Sequence, residues 1–399
     1  MERIIYIGMD VHSTSYSLCA LEPVFGQENK FFFETKVAAE PSNIIKYIDD
    51  IESCFANDEC TFVTGYEAGC LGFSLYNYLK GRGIDCKILA PTKMSEEKGG
   101  KKVKTDKRDA RTIAQNLAYG TYSAVFVPGE EDLAVRDYIR MRNDHKAAVK
   151  RIKQQINALC MRHGYIYQRT KWTAEHLKYI KGMTLSPLYR EILQEYLATM
   201  EQLNNKIKAF DVRIEELSKT KRYKDNVGKL ACFTGITRSR ALAIIAEIGD
   251  FRRFLKPLNF AAYVGLVPGE KSSGKKQKRI AITKAGNSHI RKELIEAAQS
   301  ICRGLPGYKS RALLARQQGN DTTVINYADK ASARLRRRYY KLGRCGKKHN
   351  VAVTAVAREL SCFICGMMNG LTKYKLKRLN RVKDKEERYL NTDNISKRS

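Results

Sequence analysis

The sequence predicts a multidomain protein of the α/β plus α class, with a mixed α/β domain first and mainly helical parts after it. Short β-rich and helical segments alternate through residues 1–128. Apolar residues then recur at helical spacing between about Glu130 and Lys221, and helical, basic sequence continues to about Gly370. A chain of 399 residues with 43% hydrophobic side chains is long enough for two or three domains, each with its own core.

The first 128 residues contain segments in the order β-β-β-α-β-α-β-α. The first three are β-rich runs separated by turn-like breaks, which predicts an antiparallel meander, and the later alternation predicts parallel strands flanked by helices. This is the order of a ribonuclease-H-like domain. The predicted strands are Arg3–Asp10, Thr14–Leu21, Lys30–Val37, Thr61–Tyr66 and Asp85–Ala90, and the predicted helices are Pro41–Phe55, Leu71–Gly81 and Asp106–Ala118.

Residues 129–222 show two apolar seams with steps of three and four residues, which are typical of coiled coils. The seams consist of Val149, Ile152, Ile156 and Leu159, and of Leu203, Ile207, Phe210, Ile214 and Leu217. The pattern favours a helical coiled coil that dimerises. An antiparallel helix pair packed inside one chain is the alternative.

Residues 223–370 form a third predicted domain, which is mainly α-helical. Its start resembles a helix-hairpin-helix around Thr234–Thr237, where Gly235 permits a tight turn and the next helix presents N–H groups to a phosphate. A purely structural helical hairpin has the same pattern. An irregular loop is expected at Pro268–Lys278, and a frayed basic tail at 371–399, which holds ten basic and four acidic residues.

The net charge of +31 indicates a polyanionic partner. Residues 1–66 carry −7, so the remainder carries +38, and much of it lies in three clusters at 98–111, 271–292 and 331–348. Such clusters suit a phosphate backbone, with a solvated helix face as the alternative. The predicted nucleic-acid-binding residues are Lys101, Lys102, Lys104, Lys107, Arg108, Lys271, Lys275, Lys276, Lys278, Arg279, Lys284, Arg336, Arg337 and Arg338.

The composition also predicts where the protein acts. The sequence has no apolar run of about 18 residues, and its N-terminus has the pattern of a strand, so we expect a soluble cytoplasmic protein that does not interact with membranes. Eleven cysteines without a spacing framework indicate reduced thiols.

Four acidic residues stand where the predicted sheet would bring them together. Asp10 and Glu67 end strands, and Asp106 and Asp109 share one face of a helix's first turn. Carboxylate oxygens are hard ligands that suit Mg²⁺ or Mn²⁺, and paired ions can stabilise the attacking and leaving oxygens of a phosphodiester. The alternatives are that Asp106 and Glu67 only cap helices. His12 is expected to be a rim or structural residue and not a ligand.

Several segments resemble the DEDD transposases of the Piv-type invertase family, which are bridge-RNA-guided recombinases. They are YIGMDVHSTSYSLCALE, TGYEAGCLGFSLYNYL, CKILAPTKM, KTDKRDARTIA and LACFTGITRSRALAIIAEIGDFRRF, and the similarity covers the whole chain. The resemblance implies a RuvC-like N-terminal domain that binds Mg²⁺ through Asp10, Glu67, Asp106 and Asp109. It also implies a coiled coil and a C-terminal transposase domain with a nucleophilic serine.

The resemblance places this serine in the segment EKSSGK. The family pattern has a serine immediately before glycine, which selects Ser273 and leaves Ser272 as the second candidate. The implied partners are double-stranded donor and target DNA, a structured noncoding guide RNA, and further copies of the chain, as a dimer and as a tetramer in the synaptic complex. The implied location is the nucleoid of a bacterium or archaeon.

Other functions fit parts of the sequence less well. GMDVHSTS resembles the first phosphate loop of an actin-like ATPase, but a second glycine-rich phosphate loop is missing from the sequence. A Holliday-junction nuclease would use the same four acids without the serine, and a DNA-binding protein with a decayed site would use neither. Cys345, His349, Cys362 and Cys365 could be a zinc set, but the last two share one predicted apolar helix face.

Overall fold

The structure, a computed structural model, describes residues 2–24, 29–55, 58–69, 71–91, 94, 105–273 and 276–371. For residues 271–273 and 276–279 the description covers the backbone alone. The chain forms two compact units, Met1–Val127 and Pro128–Ser399.

The first unit contains a five-stranded sheet in the order β3-β2-β1-β4-β5. Strands β1 to β3 pair antiparallel, whereas β4 runs parallel to β1 and β5 runs parallel to β4. The order of elements along the chain is the predicted one. The elements are β1 (Glu2–Val11), β2 (Ser15–Glu22), β3 (Lys30–Ala38), α1 (Pro41–Cys54), β4 (Glu59–Glu67), α2 (Ser74–Lys80), β5 (Asp85–Leu89) and α3 (Asp106–Ala118).

The two faces of this sheet are covered by different helices. Ile5, Ile7 and Met9 of β1 are fully buried in one core cluster together with apolar residues of α1 and α2. Tyr6, the alternate position of β1, packs with α3 in a second cluster. Since side chains alternate along a strand, Asp10 shares the face of Tyr6 and belongs to the side that α3 covers.

A pair of glycines lets α3 approach the sheet closely. Gly8 of β1 lies opposite Gly65 of β4 in the strand register. A Cβ atom at Gly8 would lie 2.1 Å from the carbonyl oxygen of Ala110 and 2.4 Å from the backbone nitrogen of Ala114. The glycine in β1 and the alanines in α3 therefore allow the backbone of α3 to pack directly on β1. This contact positions the N-terminal turn of α3.

The second unit begins with a long helical hairpin. It is formed by α4 (Glu130–Arg162), the short α5 (Ala174–Lys181) and α6 (Pro187–Leu217). The rings of Tyr138 and Phe210 lie 5.7 Å apart at one end, and those of His163 and Tyr189 lie 4.2 Å apart at the other, so α4 and α6 are antiparallel.

The apolar seams predicted for a coiled coil meet each other inside this hairpin. Val149, Ile152 and Ile156 of α4 share one buried cluster with Met200 and Ile207 of α6. These residues therefore pack as an antiparallel helix pair inside one chain, which was the alternative to a coiled coil between chains. Dimerisation through them stays a prediction without support from the structure.

The rest of the second unit is a helical core with one β-hairpin. Its elements are α7 (Lys224–Ala231), α8 (Arg238–Ile248), α9 (Pro257–Tyr263), β6 (Pro268–Ser273), β7 (Lys276–Ile282), α10 (Ser288–Arg303), α11 (Arg311–Gln317), α12 (Thr322–Arg344) and α13 (His349–Met368). The prediction of an irregular loop at Pro268–Lys278 was wrong, because this segment pairs as the antiparallel strands β6 and β7.

Helix α13 is central to this core. Within the part of the chain that the structure describes, it is the one helix long and apolar enough to span a membrane by length and composition. Its residues Val356, Leu360 and Ile364 are fully buried in the cluster that also contains α7, α8, α10 and α12. That burial accounts for its apolar composition as a core helix.

A buried ionic group connects α4 to this core. Glu247 of α8 is 8% exposed and accepts hydrogen bonds from Arg140 of α4, at 2.8 and 2.9 Å. It also accepts one from Asn287, at 2.7 Å, and the Asn287 side chain caps the N-terminus of α10. A carboxylate desolvated in this way needs such partners, so the three helices are held in one arrangement.

Candidate active site

The site is built on the end of β1. Asp10 lies opposite Ser17 in β2, and the preceding residue Met9 lies opposite Tyr66 in β4, so Asp10 and Glu67 are the next residues of neighbouring parallel strands. The Asp10 side chain is 16% exposed. Sheet register thus places Glu67 one strand away from Asp10 at the same end of the sheet.

Helix α3 supplies two more carboxylates. The side chain of Thr105 caps the helix by accepting from the backbone N–H of Arg108, so the alternative that Asp106 only caps this helix does not hold. Asp106 is the first residue of the helix, and its carboxylate accepts a hydrogen bond from Lys36 of β3 at 2.8 Å. Because Thr105 caps the helix, the carboxylate of Asp106 does not have that role and instead interacts with Lys36 of β3.

The pKa shifts indicate that these carboxylates converge. Burial raises the pKa of Asp10 above its ordinary value, the negative charges of Asp109 and Asp106 add to the rise, and His12 opposes it. The hydrogen bond from Lys36 holds the pKa of Asp106 below its ordinary value. Mutual repulsion between carboxylates is the condition that a bound divalent cation relieves.

His12 completes the group that the structure brings together. One ligand atom each from Asp10, His12 and Asp106 lies within 4.8 Å of the other two. The His12 Nε2 atom is 3.2 Å from Asp10 Oδ2 and 3.8 Å from Asp106 Oδ1. This donor set of carboxylates with one imidazole fits a divalent cation such as Mn²⁺ or Mg²⁺. Of the four predicted acids, Glu67 is placed near this group only through strand register, and Asp109 through its charge effect on Asp10.

A second ionic group fixes α3 to β3. Glu34 pairs with Lys107 and Arg111, both on α3. The hydrogen bond from Arg111 lowers the pKa of Glu34 to about 2, and Lys107 contributes to the same effect. The charge of Lys107, a predicted nucleic-acid contact, is therefore partly compensated within the protein.

The two candidate serines lie at the tip of the β6–β7 hairpin. Ser273 is the last residue of β6 and lies opposite Lys276, and Ser272 lies opposite Gln277. In the strand register, Lys271 lies opposite Lys278, one position further from the turn, and Glu270 lies opposite Arg279. The predicted contacts at Lys101, Lys102, Lys104 and Lys275 lie outside the described residues.

The basic cluster on α12 divides into exposed and buried residues. Arg337 is exposed and Arg338 half-buried. Arg336 is 8% exposed, and its guanidinium donates to the carbonyl oxygens of Ile301 at 3.2 Å and Leu305 at 2.7 Å. Burial thus gives Arg336 a structural role, since its donors satisfy the carbonyl end of α10, and a contact of this residue with nucleic acid has no support from the structure. Lys284 and Arg108 are exposed, as a contact with the phosphate backbone of a nucleic acid requires.

The turn between α7 and α8 is tightly integrated into the core. Gly235 has φ +82°, and a Cβ there would lie 2.5 Å from the carbonyl oxygen of Ala297. Arg240 donates to the Gly235 carbonyl at 2.6 Å and pairs with Glu293 and Glu296 of α10. These contacts explain on structural grounds why a glycine stands at position 235. Phosphate binding by this hairpin stays a prediction.

The proposed zinc set is not assembled within the described residues. Cys365 is fully buried in the α13 core, whereas Cys345 is exposed and the ring of His349 hydrogen-bonds to Tyr339 at 2.9 Å.

The chain was compared with known proteins. Residues 7–163 match a family described as "Transposase", the DEDD transposases of IS110 elements, and residues 228–312 match one described as "Transposase IS116/IS110/IS902 family". A protein of Sinorhizobium fredii named "Putative transposase y4qE" is 33% identical over 91% of this chain and 88% of its own length. The transposase for insertion sequence element IS1533 of Leptospira borgpetersenii is 29% identical over 86% of this chain and 97% of its own length. The chain therefore belongs to the IS116/IS110/IS902 family of insertion-sequence transposases, with the DEDD type of N-terminal domain.

Proposed function

We propose that this transposase cuts and rejoins DNA in a reaction that depends on Mg²⁺ or Mn²⁺ bound by Asp10, Glu67, Asp106 and Asp109. The convergence of Asp10 with Asp106 across the β1–α3 contact carries the proposal, because a bound cation stabilises the charged form of a half-buried carboxylate that lies near like charges. The ribonuclease-H-like, or RuvC-like, assignment of the first unit belongs to the same proposal and is supported by its strand order.

The protein's own residues would divide the work. Asp10 and Glu67 hold the cation from the ends of adjacent strands, and the first turn of α3 brings Asp106 and Asp109 to it. When bound, the cation would stabilise the negative charge that develops on the phosphodiester oxygens. Exposed basic residues such as Arg337 and Lys284 would hold DNA or RNA backbones without reading sequence.

For the nucleophile we propose Ser273, with Ser272 as the second candidate. Attack by the serine oxygen on a DNA phosphorus would form a phosphoserine bond while one phosphodiester P–O bond breaks and its oxygen leaves with the DNA end. The number of phosphate ester bonds is conserved, so the strand can be rejoined without ATP. The position of both serines at a hairpin tip supports access to a large substrate.

The proposal includes a structured guide RNA encoded by the element and pairing of protein copies in a synaptic complex. The net charge of +31 supports binding of more than one nucleic acid. Purified protein should therefore carry a defined RNA, and removal of that RNA with ribonuclease should abolish strand exchange. Activity that survives complete ribonuclease treatment would argue against guidance by RNA.

Strand exchange on a plasmid that carries the element with its flanking DNA tests the acid site. Asp10→Ala and Asp109→Ala should abolish cleavage and exchange in Mg²⁺, while a matched Asp50→Ala change on the exposed face of α1 should not. Thermal unfolding of each variant separates loss of chemistry from loss of fold. Wild-type exchange by Asp10→Ala would refute the site. Efficient cleavage without rejoining would instead favour a nuclease that activates water.

A further inference from the structure

We propose that His12 is a metal-binding residue of the acid site, contributing its Nε2 atom beside Asp10 and Asp106, and that the site consequently prefers Mn²⁺ to Mg²⁺. The inference rests on the proposed function, because it requires that the acid site bind a divalent cation. It adds a nitrogen ligand to a set that is otherwise composed of carboxylates.

The backbone holds His12 in a defined position. His12 is the residue after β1, and its Nε2 atom lies 3.2 Å from Asp10 Oδ2, so the two side chains lie on the same side of the chain. Its backbone N–H donates to the carbonyl of Ser15 at 3.0 Å, which closes the short connection to β2. The backbone N–H of Ala39 also donates to the carbonyl of Thr14 at 3.3 Å, so this connection is tied to the end of β3.

The contacts of Asp106 assign its two oxygens to different partners. Oδ2 accepts from Lys36 at 2.8 Å, whereas Oδ1 is directed to His12 at 3.8 Å. Lys36 thus holds one oxygen of the Asp106 carboxylate, and the other oxygen lies nearer His12. Outer residues that orient a ligand in this way are a common feature of protein metal sites.

The three ligand atoms also lie within the span of one ion. All are within 4.8 Å of one another. Bonds of about 2.0–2.5 Å from one cation place two of its ligands about 3–5 Å apart. The His12 Nε2 and Asp10 Oδ2 atoms lie 3.2 Å apart, and each is of a type that can bind a cation.

The chemical class of the ion follows from the added nitrogen. Mg²⁺ strongly prefers oxygen ligands, whereas imidazole binds Mn²⁺ and later first-row ions more readily. A site composed only of carboxylates would discriminate less between Mg²⁺ and Mn²⁺. His12 therefore predicts a selectivity that the four acids alone do not.

The test is calorimetric titration of the metal-free, full-length protein with MnCl₂ and with MgCl₂. The informative variant is His12→Gln, because glutamine can keep a hydrogen bond to Asp10 but is a poor ligand for transition ions. His289→Gln, an exposed histidine of α10, is the matched control. Pulsed EPR of bound Mn²⁺ adds an independent readout, since it detects the hyperfine coupling of a coordinated imidazole nitrogen.

We expect the wild type and the control to bind Mn²⁺ more tightly than Mg²⁺ and to show the nitrogen coupling. His12→Gln should lose the coupling and weaken Mn²⁺ binding by about tenfold or more, with Mg²⁺ affinity changed by about twofold or less. Unchanged Mn²⁺ affinity in His12→Gln, or absence of nitrogen coupling in the wild type, would overturn the proposal.

Asp10→Asn separates this failure from failure of the proposed function. If Asp10→Asn loses both cations while His12→Gln loses neither, the acid site stands and the assignment of His12 is wrong. If Asp10→Asn binds both cations like the wild type, the acid site itself is wrong.

Discussion

Replacement of Gly8 by alanine tests whether the close contact between β1 and α3 sets the geometry of the acid site. The new Cβ would lie 2.1 Å from the carbonyl oxygen of Ala110, and ordinary contact begins at 3.4 Å. The carbonyl oxygen belongs to the backbone and the Cβ is fixed to its own Cα, so neither atom can rotate away as the end of a long side chain can. Helix α3 must therefore move by about 1.3 Å, the difference between these two distances.

That movement of α3 displaces the acid site, because the first turn of the same helix carries two of its carboxylates. Asp106 and Asp109 lie four and one residues before Ala110, so they are displaced with it relative to Asp10. A misplacement of about 1 Å at a catalytic group can cost about 100-fold in rate. We expect Gly8→Ala to lose strand exchange by about this factor and to bind Mn²⁺ at least about tenfold more weakly. The overpacked core should also cost about 1–3 kcal/mol of unfolding free energy.

Strand exchange and Mn²⁺ calorimetry measure the effect, with circular dichroism at the assay temperature to show that the variant is folded. Gly343→Ala is the matched control, because nothing lies within 4 Å of a Cβ at that helical position. A folded Gly8→Ala variant with activity and Mn²⁺ affinity within about threefold of the wild type would refute the reasoning.

The remaining predictions concern charge and burial. Lys36→Met should raise the pKa of Asp106 and so move upward the pH at which Mn²⁺ binding is lost, as measured by titrations between about pH 4 and 7; an unchanged midpoint would contradict the role of Lys36. Burial alone would raise the pKa of Asp132, but hydrogen bonds from Arg222 and Tyr223 outweigh it and hold that pKa below its ordinary value. Its contribution to stability is thus present above the unfolded value of about 3.9 and lost as the pH falls through the folded value. Asp132→Asn should cost about 2 kcal/mol at pH 7 by urea unfolding, with the difference from the wild type shrinking below about pH 4; a constant difference would show that the charge is not responsible. Arg337→Met should flatten the salt dependence of nucleic-acid affinity by about one unit of log–log slope, whereas Arg336→Met should lower the melting temperature and leave the slope unchanged. Equal effects of both arginine changes on the slope would show that burial does not separate them.

The order of elements in the first unit could be predicted from the sequence because each segment has a clear period and clear breaks. Helix α3 was predicted with its observed bounds, Asp106–Ala118. The closeness of α3 to β1 could not be predicted, because it depends on Gly8 facing Ala110 and Ala114 from a distant part of the chain. A glycine in a strand indicates only that another part of the chain packs closely against the strand backbone, and it does not show which part.

Residue type and element position were enough to single out acids of the candidate site, but not the contacts that these acids make. Asp10 and Asp106 stand out as acids at element ends. His12 and Lys36 were missed as partners, since their role depends on the antiparallel register that aligns Asp10, Ser17 and Lys36 across three strands. The position of His12, two residues after Asp10 and directly after β1, was a signal that the two side chains could lie on the same side of the chain.

In the second unit, burial answers two questions that the sequence pattern leaves open: which helix covers the apolar seam, and which arginine of α12 points inward. A heptad-like seam shows that a helix face is apolar, but it does not show whether the partner helix belongs to the same chain, as α6 does for α4. A run of arginines likewise does not show which one points inward. Arg336 follows Ala328, Ala331, Ser332 and Leu335 on the buried face of α12, so helical periodicity could have identified it.

The most direct test of the account is to trap the covalent intermediate and identify the amino acid that carries the DNA. A donor DNA with a blocked rejoining step should leave protein attached to one DNA end in the presence of Mg²⁺, and peptide mapping should place the bond at Ser273. Ser273→Ala and Asp10→Ala should both lose the adduct, whereas Ser272→Ala should keep it. A bond at Ser272 would retain the chemistry and correct the residue. Efficient strand cleavage by the wild type without an adduct at either serine would contradict strand transfer through a serine nucleophile.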